Sequence, residues 1–219
     1  MAVKVKICGL TRPQDALATA QAGADFAGLV FHPGSPRYVS PDKARAISEK
    51  LSGRVRVVAL FVNPADDIIV AAIAAAKPDF LQLHGQEPAR RVAEIRARFG
   101  IPVMKAIGIA DEHDVGALAG FEAAADMLLF DAKAADGASG GRGVAFDWQL
   151  LRKRTIRKPW LLAGGLNVQN VARAVAAAGA PGVDVSSGVE TSPGVKDAEA
   201  IRAFVEAARM AEFAAGGPA

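Results

Sequence analysis

The chain has 219 residues, 51% of them hydrophobic, with a formal net charge of +3 and a single cysteine. That apolar content can bury a sizeable core and excludes a disordered chain, while no apolar run approaches the ~18 residues of a membrane span. One cysteine excludes an intramolecular disulfide, and the opening MAVKVKICGLT lacks the apolar stretch of a secretory leader, so a cytoplasmic protein with no membrane partner is expected.

Short apolar runs alternate with alanine-rich helical stretches along the whole chain. A strand at 3–7 precedes a helix at 13–21, in which Thr11 and Gln14 have the spacing of a capping box. A strand at 26–31 precedes a helix at 41–50, opened by Ser40 before Pro41. A strand at 55–61 precedes a helix at 64–76, with Asn63 before Pro64 in the same role. Then come strand 80–83 with helix 87–98, strand 103–107 with helix 111–119, and strand 127–130 with helix 147–154. Strand 160–163 with helix 168–178 and strand 183–185 with helix 197–211 complete eight units. Gly23, Gly53, Gly100 and Gly179 stand where helices should stop. Arg152, Lys153, Arg154, Arg157 and Lys158 form a local basic run. It reads as a solvated helix face, because no aromatic residues interleave to stack bases, and no nucleic-acid partner is expected.

Strict alternation of strand and helix predicts a parallel sheet. Eight units fit an α/β protein of the (β/α)8 TIM-barrel type, somewhat below the typical ~250 residues. An open doubly wound sheet is the alternative. Nothing divides the chain, so residues 1–213 are read as one domain and 214–219 as a disordered tail.

In such barrels the chemistry lies at the C-terminal ends of the strands. Those ends carry Cys8, the loop His32 to Arg37, Asn63, His84, Lys105, Asp131, Gly164-Gly165 and Ser186-Ser187-Gly188. Two glycine-bearing loops at adjacent strand ends read as a phosphate cradle, since glycine lets backbone N–H groups approach an anion. Tight turns would explain one Gly-Gly, but not both loops. Arg37, in a loop stiffened by Pro33 and Pro36, could fork onto a carboxylate or simply be solvated. Period-2 alternation puts Lys4, Lys6 and Cys8 on the inward face of the first strand, where an ammonium would stabilise a thiolate. Asp184 is the candidate counter-charge. Asp131 is a candidate acid–base partner for Cys8, or else a helix cap or a partner of Lys133. His84 suits the phosphate or sugar site, or a structural hydrogen bond. The three histidines show no metal-ligand spacing, so no metal is expected.

Together these segments resemble the phosphoribosylanthranilate isomerase family. The resemblance rests on KICGLT at 6–11, FHPGSPRYV at 31–39, LQLHGQE at 81–87 and LFDAK at 129–133. GVAFDW at 143–148, LAGGLNVQNV at 162–171 and VDVSSGVETSPGVKD at 183–197 extend it over nearly the whole chain. It implies the Amadori rearrangement of N-(5-phosphoribosyl)anthranilate to 1-(o-carboxyphenylamino)-1-deoxyribulose 5-phosphate, a step of tryptophan biosynthesis. Asp131 would be the general acid and Cys8 the general base. Arg37 would hold the anthranilate carboxylate, and Gly164, Gly165, Ser187 and Gly188 would donate to the phosphate, with His84 nearby. No cofactor is implied, the expected partner is a small phosphorylated substrate, and the molecule would be a monomer or homodimer. Phe31 or Val39 would supply an apolar wall, and the glycine-rich loop 134–145 a mobile lid. The alternatives are another phosphosugar barrel enzyme and a non-catalytic barrel that binds a phosphosugar or a partner. An epimerase should carry metal-binding histidines, and an indoleglycerol phosphate synthase a glutamate and lysines at its strand ends; here the first strand ends in Cys8.

Overall fold

The computed structural model describes residues 2–51, 53–116, 118–133 and 146–211. The expected lid and tail lie outside the described residues. Eight parallel strands close into a barrel in sequence order, β1 pairing with both β2 and β8. They are β1 (Lys4–Cys8), β2 (Phe26–Val30), β3 (Arg56–Phe61), β4 (Phe80–Leu83), β5 (Val103–Ile109), β6 (Met127–Ala132), β7 (Trp160–Leu162) and β8 (Gly182–Val185). Between and after them run α1 (Pro13–Gln21), α2 (Pro41–Leu51), α3 (Asp66–Ala76), α4 (Ala89–Phe99), α5 (Glu112–Gly116), α6 (Leu118–Ala124), α7 (Gln149–Arg152), α8 (Val171–Ala178) and α9 (Ala198–Met210). The open sheet is thereby excluded.

The strands are apolar on both faces because both are covered. Odd positions of β1, such as Val5 and Ile7, join the layer packed against the helices. The barrel interior is a separate cluster of Phe26, Val58, Met104, Ala106, Met127, Leu129, Leu161 and Ala163. A repeated device closes its lower end. Asp25, Asp79 and Asp126, each just before an even strand, accept from the backbone N–H of Val5, Val57 and Val103 at 2.9, 2.7 and 2.9 Å. Donors at the start of β1, β3 and β5 are thus satisfied where no further strand residue could reach them.

Several boundaries differ from the sequence reading for identifiable reasons. The capping box does not form: Arg12 is the N-cap of α1, and the Thr11 hydroxyl donates instead to the Gly194 carbonyl. Asn63 does not cap α3, which begins after Ala65; its Oδ1 accepts from Gln86 N at 2.8 Å across the rim. Ser40 does cap, accepting from Lys43 N at 3.4 Å, and Gly100 and Gly179 end α4 and α8 in the left-handed conformation. The helix expected at 147–154 is only four residues long, and exposed residues of the basic run continue beyond it. The sequence reading also missed a small hairpin after β8. A 3-10 turn (Ser187–Val189) leads into β9 (Glu190–Ser192), which pairs antiparallel with β10 (Val195–Lys196).

Among the described residues, no helix is long and apolar enough to cross a membrane.

Candidate active site

Inward parity, continued past the apolar layers, lifts polar side chains into a cavity at the C-terminal mouth. Counted with the solvent at its open mouth, its empty volume is about 770 Å3. Cys8, Arg37, His84, Asp131, Gly164, Gly165 and Ser187 all line it. Gly188 does not. Its missing side chain instead admits the neighbouring loop, since a Cβ there would sit 2.0 Å from the Leu166 carbonyl oxygen. The apolar wall is made by Val30, Leu60 and Val62. Phe31 and Val39 are not part of it: they lie in the outer core, where Phe31 stacks on Phe61. Even positions of β2 and β3 face inward, so Phe31 has the wrong parity.

Cys8 ends β1 directly over Gly28 of β2; a Cβ on that glycine would approach Sγ to 2.7 Å. Below it, Lys6 is fully buried and its Nζ lies 3.0 Å from Asp184 Oδ1 of β8, the counter-charge expected from parity. Lys4 does not join them. It sits at the lower edge, its side chain 56% exposed, paired with Asp25. Burial pushes the Cys8 thiol above its ordinary range, and the neighbouring Lys6 only partly opposes it. Cys8 therefore rests as a thiol at neutral pH. Burial acts to lower Lys6, but Asp184 and Cys8 together outweigh it and hold its pKa above the ordinary ammonium value.

Asp131 lies on β6, 8% exposed. Its Oδ1 accepts from Ala132 N at 2.8 Å, and its Oδ2 lies 3.1 Å from His84 Nε2. Lys133 pairs with Asp114 instead, at 2.8 Å. His84 is thus engaged with the candidate acid rather than with the glycine cradle. Its other nitrogen is 3.0 Å from Gln82 Nε2, so with that amide donating to Nδ1 the imidazole N–H points at Asp131. Gln82 escaped the sequence reading, although its parity with His84 places both side chains on the inner face.

The cradle spans the ends of β7 and β8. Gly164 and Gly165 have φ of +85° and +65°, which favours glycine, and a Cβ on Gly164 would lie 3.0 Å from Asp131 Oδ1. Asn170 Nδ2 ties the Gly165 carbonyl back at 2.9 Å. Ser186 Oγ donates to the Cys8 carbonyl at 3.1 Å, joining this loop to β1.

Arg37 meets a carboxylate, but one of the protein's own. Its Nε and Nη2 fork onto Glu190 Oε1 and Oε2 at 2.8 and 2.7 Å. Glu190 also accepts from Lys196 Nζ at 2.7 Å. Burial acts to raise Glu190, but Arg37 and Lys196 together hold its carboxyl below the usual range. The role of Glu190 and Lys196 was missed; the Pro193-Gly194 dipeptide, a turn signal, marked the hairpin that carries them. Asp111, His113 and Asp114 lie together on the surface, but Asp111 Oδ1 accepts from both His113 N and Asp114 N as a helix start.

This mouth brings together a carboxylate, a thiol, two glycine-bearing loops and an arginine. Residues 5–207 match the family model described as N-(5'-phosphoribosyl)anthranilate (PRA) isomerase. The chain belongs to the phosphoribosylanthranilate isomerase family. It is 53% identical over 207 residues to the N-(5'-phosphoribosyl)anthranilate isomerase of Paracoccus denitrificans, covering 94% of this chain and 96% of that one. It is 52% identical to that of Beijerinckia indica, with 97% of each chain covered. Among solved structures, the phosphoribosyl anthranilate isomerase of Thermotoga maritima aligns with a TM-score of 0.84 at 40% identity, over 94% of this chain and 98% of that one. A phosphoribosyl anthranilate isomerase in complex with reduced 1-(o-carboxyphenylamino)-1-deoxyribulose 5-phosphate aligns at 0.81 and 38% identity, over the same shares.

Proposed function

We infer that this chain converts N-(5'-phosphoribosyl)anthranilate to 1-(o-carboxyphenylamino)-1-deoxyribulose 5-phosphate in tryptophan biosynthesis, with Asp131 as acid and Cys8 as base. The observation that carries this reading is the order of groups around the mouth. The glycine cradle occupies the ends of β7 and β8, and these two strands separate Asp131 on β6 from Cys8 on β1. A ribose anchored by its 5-phosphate would lie between acid and base.

As general acid, Asp131 gives a proton to the ribose ring oxygen as the C1′–O bond breaks, and the anthranilate nitrogen lone pair forms the Schiff base. Cys8 acts as base from its minor thiolate form: it removes the C2′ proton, and the C2′–H electron pair flows toward the iminium to give the enolamine. That species tautomerises to the ketone. Both steps are proton transfers between oxygen, carbon and side chains, which requires no cofactor. His84 holds the carboxyl group that must cycle. Gly164, Gly165 and Ser187 donate to the phosphate through backbone N–H groups, and Arg37 meets the anthranilate carboxylate. Val30, Leu60 and Val62 face the aromatic ring. The reaction belongs in the cytoplasm, in a monomer or homodimer; the Thermotoga maritima relative is described as dimeric, and a structure of monomers generated from it is known.

The test is turnover. Purified protein should quench the fluorescence of N-(5'-phosphoribosyl)anthranilate with first-order decay at low substrate. Undiminished fluorescence, in protein that binds the reduced product analogue, would leave a binding barrel as the better reading.

A further inference from the structure

Arg37 poses a problem of charge. A guanidinium meant for a substrate carboxylate is here bound in a fork to Glu190, which neutralises it. The two side chains are only 13% and 4% exposed, so solvent does not dilute the pairing. The stem of Arg37 is fixed as well. It lies on Gly9, where a Cβ would come within 2.4 Å of its Cδ. Behind the fork stands Lys196, whose side chain is fully buried. Its Nζ has three acceptors, Glu190 Oε1 at 2.7 Å, the Ser186 carbonyl at 3.0 Å and Ser186 Oγ at 3.3 Å, as many as an ammonium has protons. Its backbone is held too, because Arg12 Nη2 donates to the Lys196 carbonyl at 2.9 Å. Neither Glu190 nor Lys196 lines the cavity, whereas Arg37 does.

Two cations and one anion leave the triad with one net positive charge, and Arg37 is its only member at the cavity. The fork consumes Nε and one edge of Nη2. A guanidinium has five N–H groups in a rigid plane, so fixing that edge also fixes the direction of Nη1. We propose that Glu190, backed by Lys196, is a positioning residue that aims the Nη1 end of Arg37 at the substrate carboxylate and so sets the preference for an ortho-carboxylated ring. Lys196 grips Ser186 with the same ammonium, so the carboxylate end and the phosphate end of the site share one anchor. This inference rests on the reading that Arg37 meets the substrate carboxylate.

Charge and positioning predict opposite signs. Glu190→Gln removes a negative charge from an anion site, so a purely electrostatic role predicts tighter binding of every anionic ligand. Positioning predicts weaker binding, and only of ligands that carry the carboxylate. The probes are reduced 1-(o-carboxyphenylamino)-1-deoxyribulose 5-phosphate and its phenylamino counterpart lacking the carboxylate, measured by calorimetry. In Glu190→Gln the carboxylated probe should weaken roughly tenfold, the scale of one charge-assisted hydrogen bond, while the other changes less than about twofold and KM rises more than kcat falls. Glu190→Asp keeps the charge but shortens the reach, and should lose the same preference. Arg37→Ala should abolish the preference, and adding Glu190→Gln to it should do nothing further. Equal weakening of both probes in Glu190→Gln and Glu190→Asp, or tighter binding of the carboxylated one, would overturn the proposal. A preference that survives Arg37→Ala would instead refute the role of Arg37.

Discussion

The barrel mouth buries two lysine–glutamate pairs with the same separation: Lys105–Glu87 above β4 and β5, and Lys196–Glu190 after β8, both at 2.7 Å. Burial holds both lysines below the usual ammonium range, with their glutamates only partly opposing it. Their surroundings differ. Lys105 donates to the Leu83 and Gly85 carbonyls as well as to Glu87, and Glu87 accepts from Asn63 N and Gly85 N. That network closes on itself and ties the loops after β3 and β4 together. The Lys196–Glu190 network includes a third charge, Arg37, which reaches the cavity. A buried ion pair at a barrel mouth is therefore no sign of catalysis by itself. What matters is whether the network ends on a group that faces the ligand.

The largest effects should come from the proposed acid and base. Cys8→Ala and Asp131→Asn are each expected to lower kcat by roughly 10²–10⁴-fold, read in the fluorescence assay; near-normal turnover in either would remove that residue from the chemistry. Next, Lys105→Met should break the closed network. Leaving Glu87 buried and unpaired should cost about 3–5 kcal/mol of stability, measured by denaturant unfolding. The folded fraction should keep kcat within a few fold of normal. A large loss of kcat without loss of stability would erase the distinction between the two pairs.

Arg37→Ala should raise KM by about tenfold or more with a smaller change in kcat, as expected for loss of a charge-assisted contact to bound substrate. An unchanged KM would mean that Glu190 is Arg37's whole purpose. The smallest effect concerns the resting state of Cys8. Because burial raises its pKa, the thiolate fraction at neutral pH is lower than for an ordinary cysteine, and it grows as pH rises. Alkylation by iodoacetamide should keep accelerating above the usual thiol pKa of about 8.5. A plateau below that value would show that Lys6 prevails over burial.

The repeating unit was legible because it is local. A strand buried on both faces must be an apolar run, and a helix packed on it must be amphipathic, so eight alternations led to the barrel. Strand-end position and parity likewise picked out Cys8, Asp131 and the Lys6–Asp184 pair, since a period of two needs no knowledge of neighbours. Hydrogen-bond partners were less accessible. Thr11 and Asn63 have the residue types and spacing of helix caps, yet each bonds across the rim to a loop far away in sequence. His84 was visible as a strand-end residue, but its contact with Asp131 spans two neighbouring strands, β4 to β6 by way of β5. Arg37 could be read as a carboxylate fork or as a solvated side chain, and nothing local pointed to Glu190, 153 positions further along, as the carboxylate it holds. The sequence by itself determined which side chains face inward and which strand ends carry them, because backbone geometry imposes that periodicity. Only closure of the barrel decided the partners of Thr11, His84 and Arg37, because it brings residues distant along the chain within hydrogen-bonding distance.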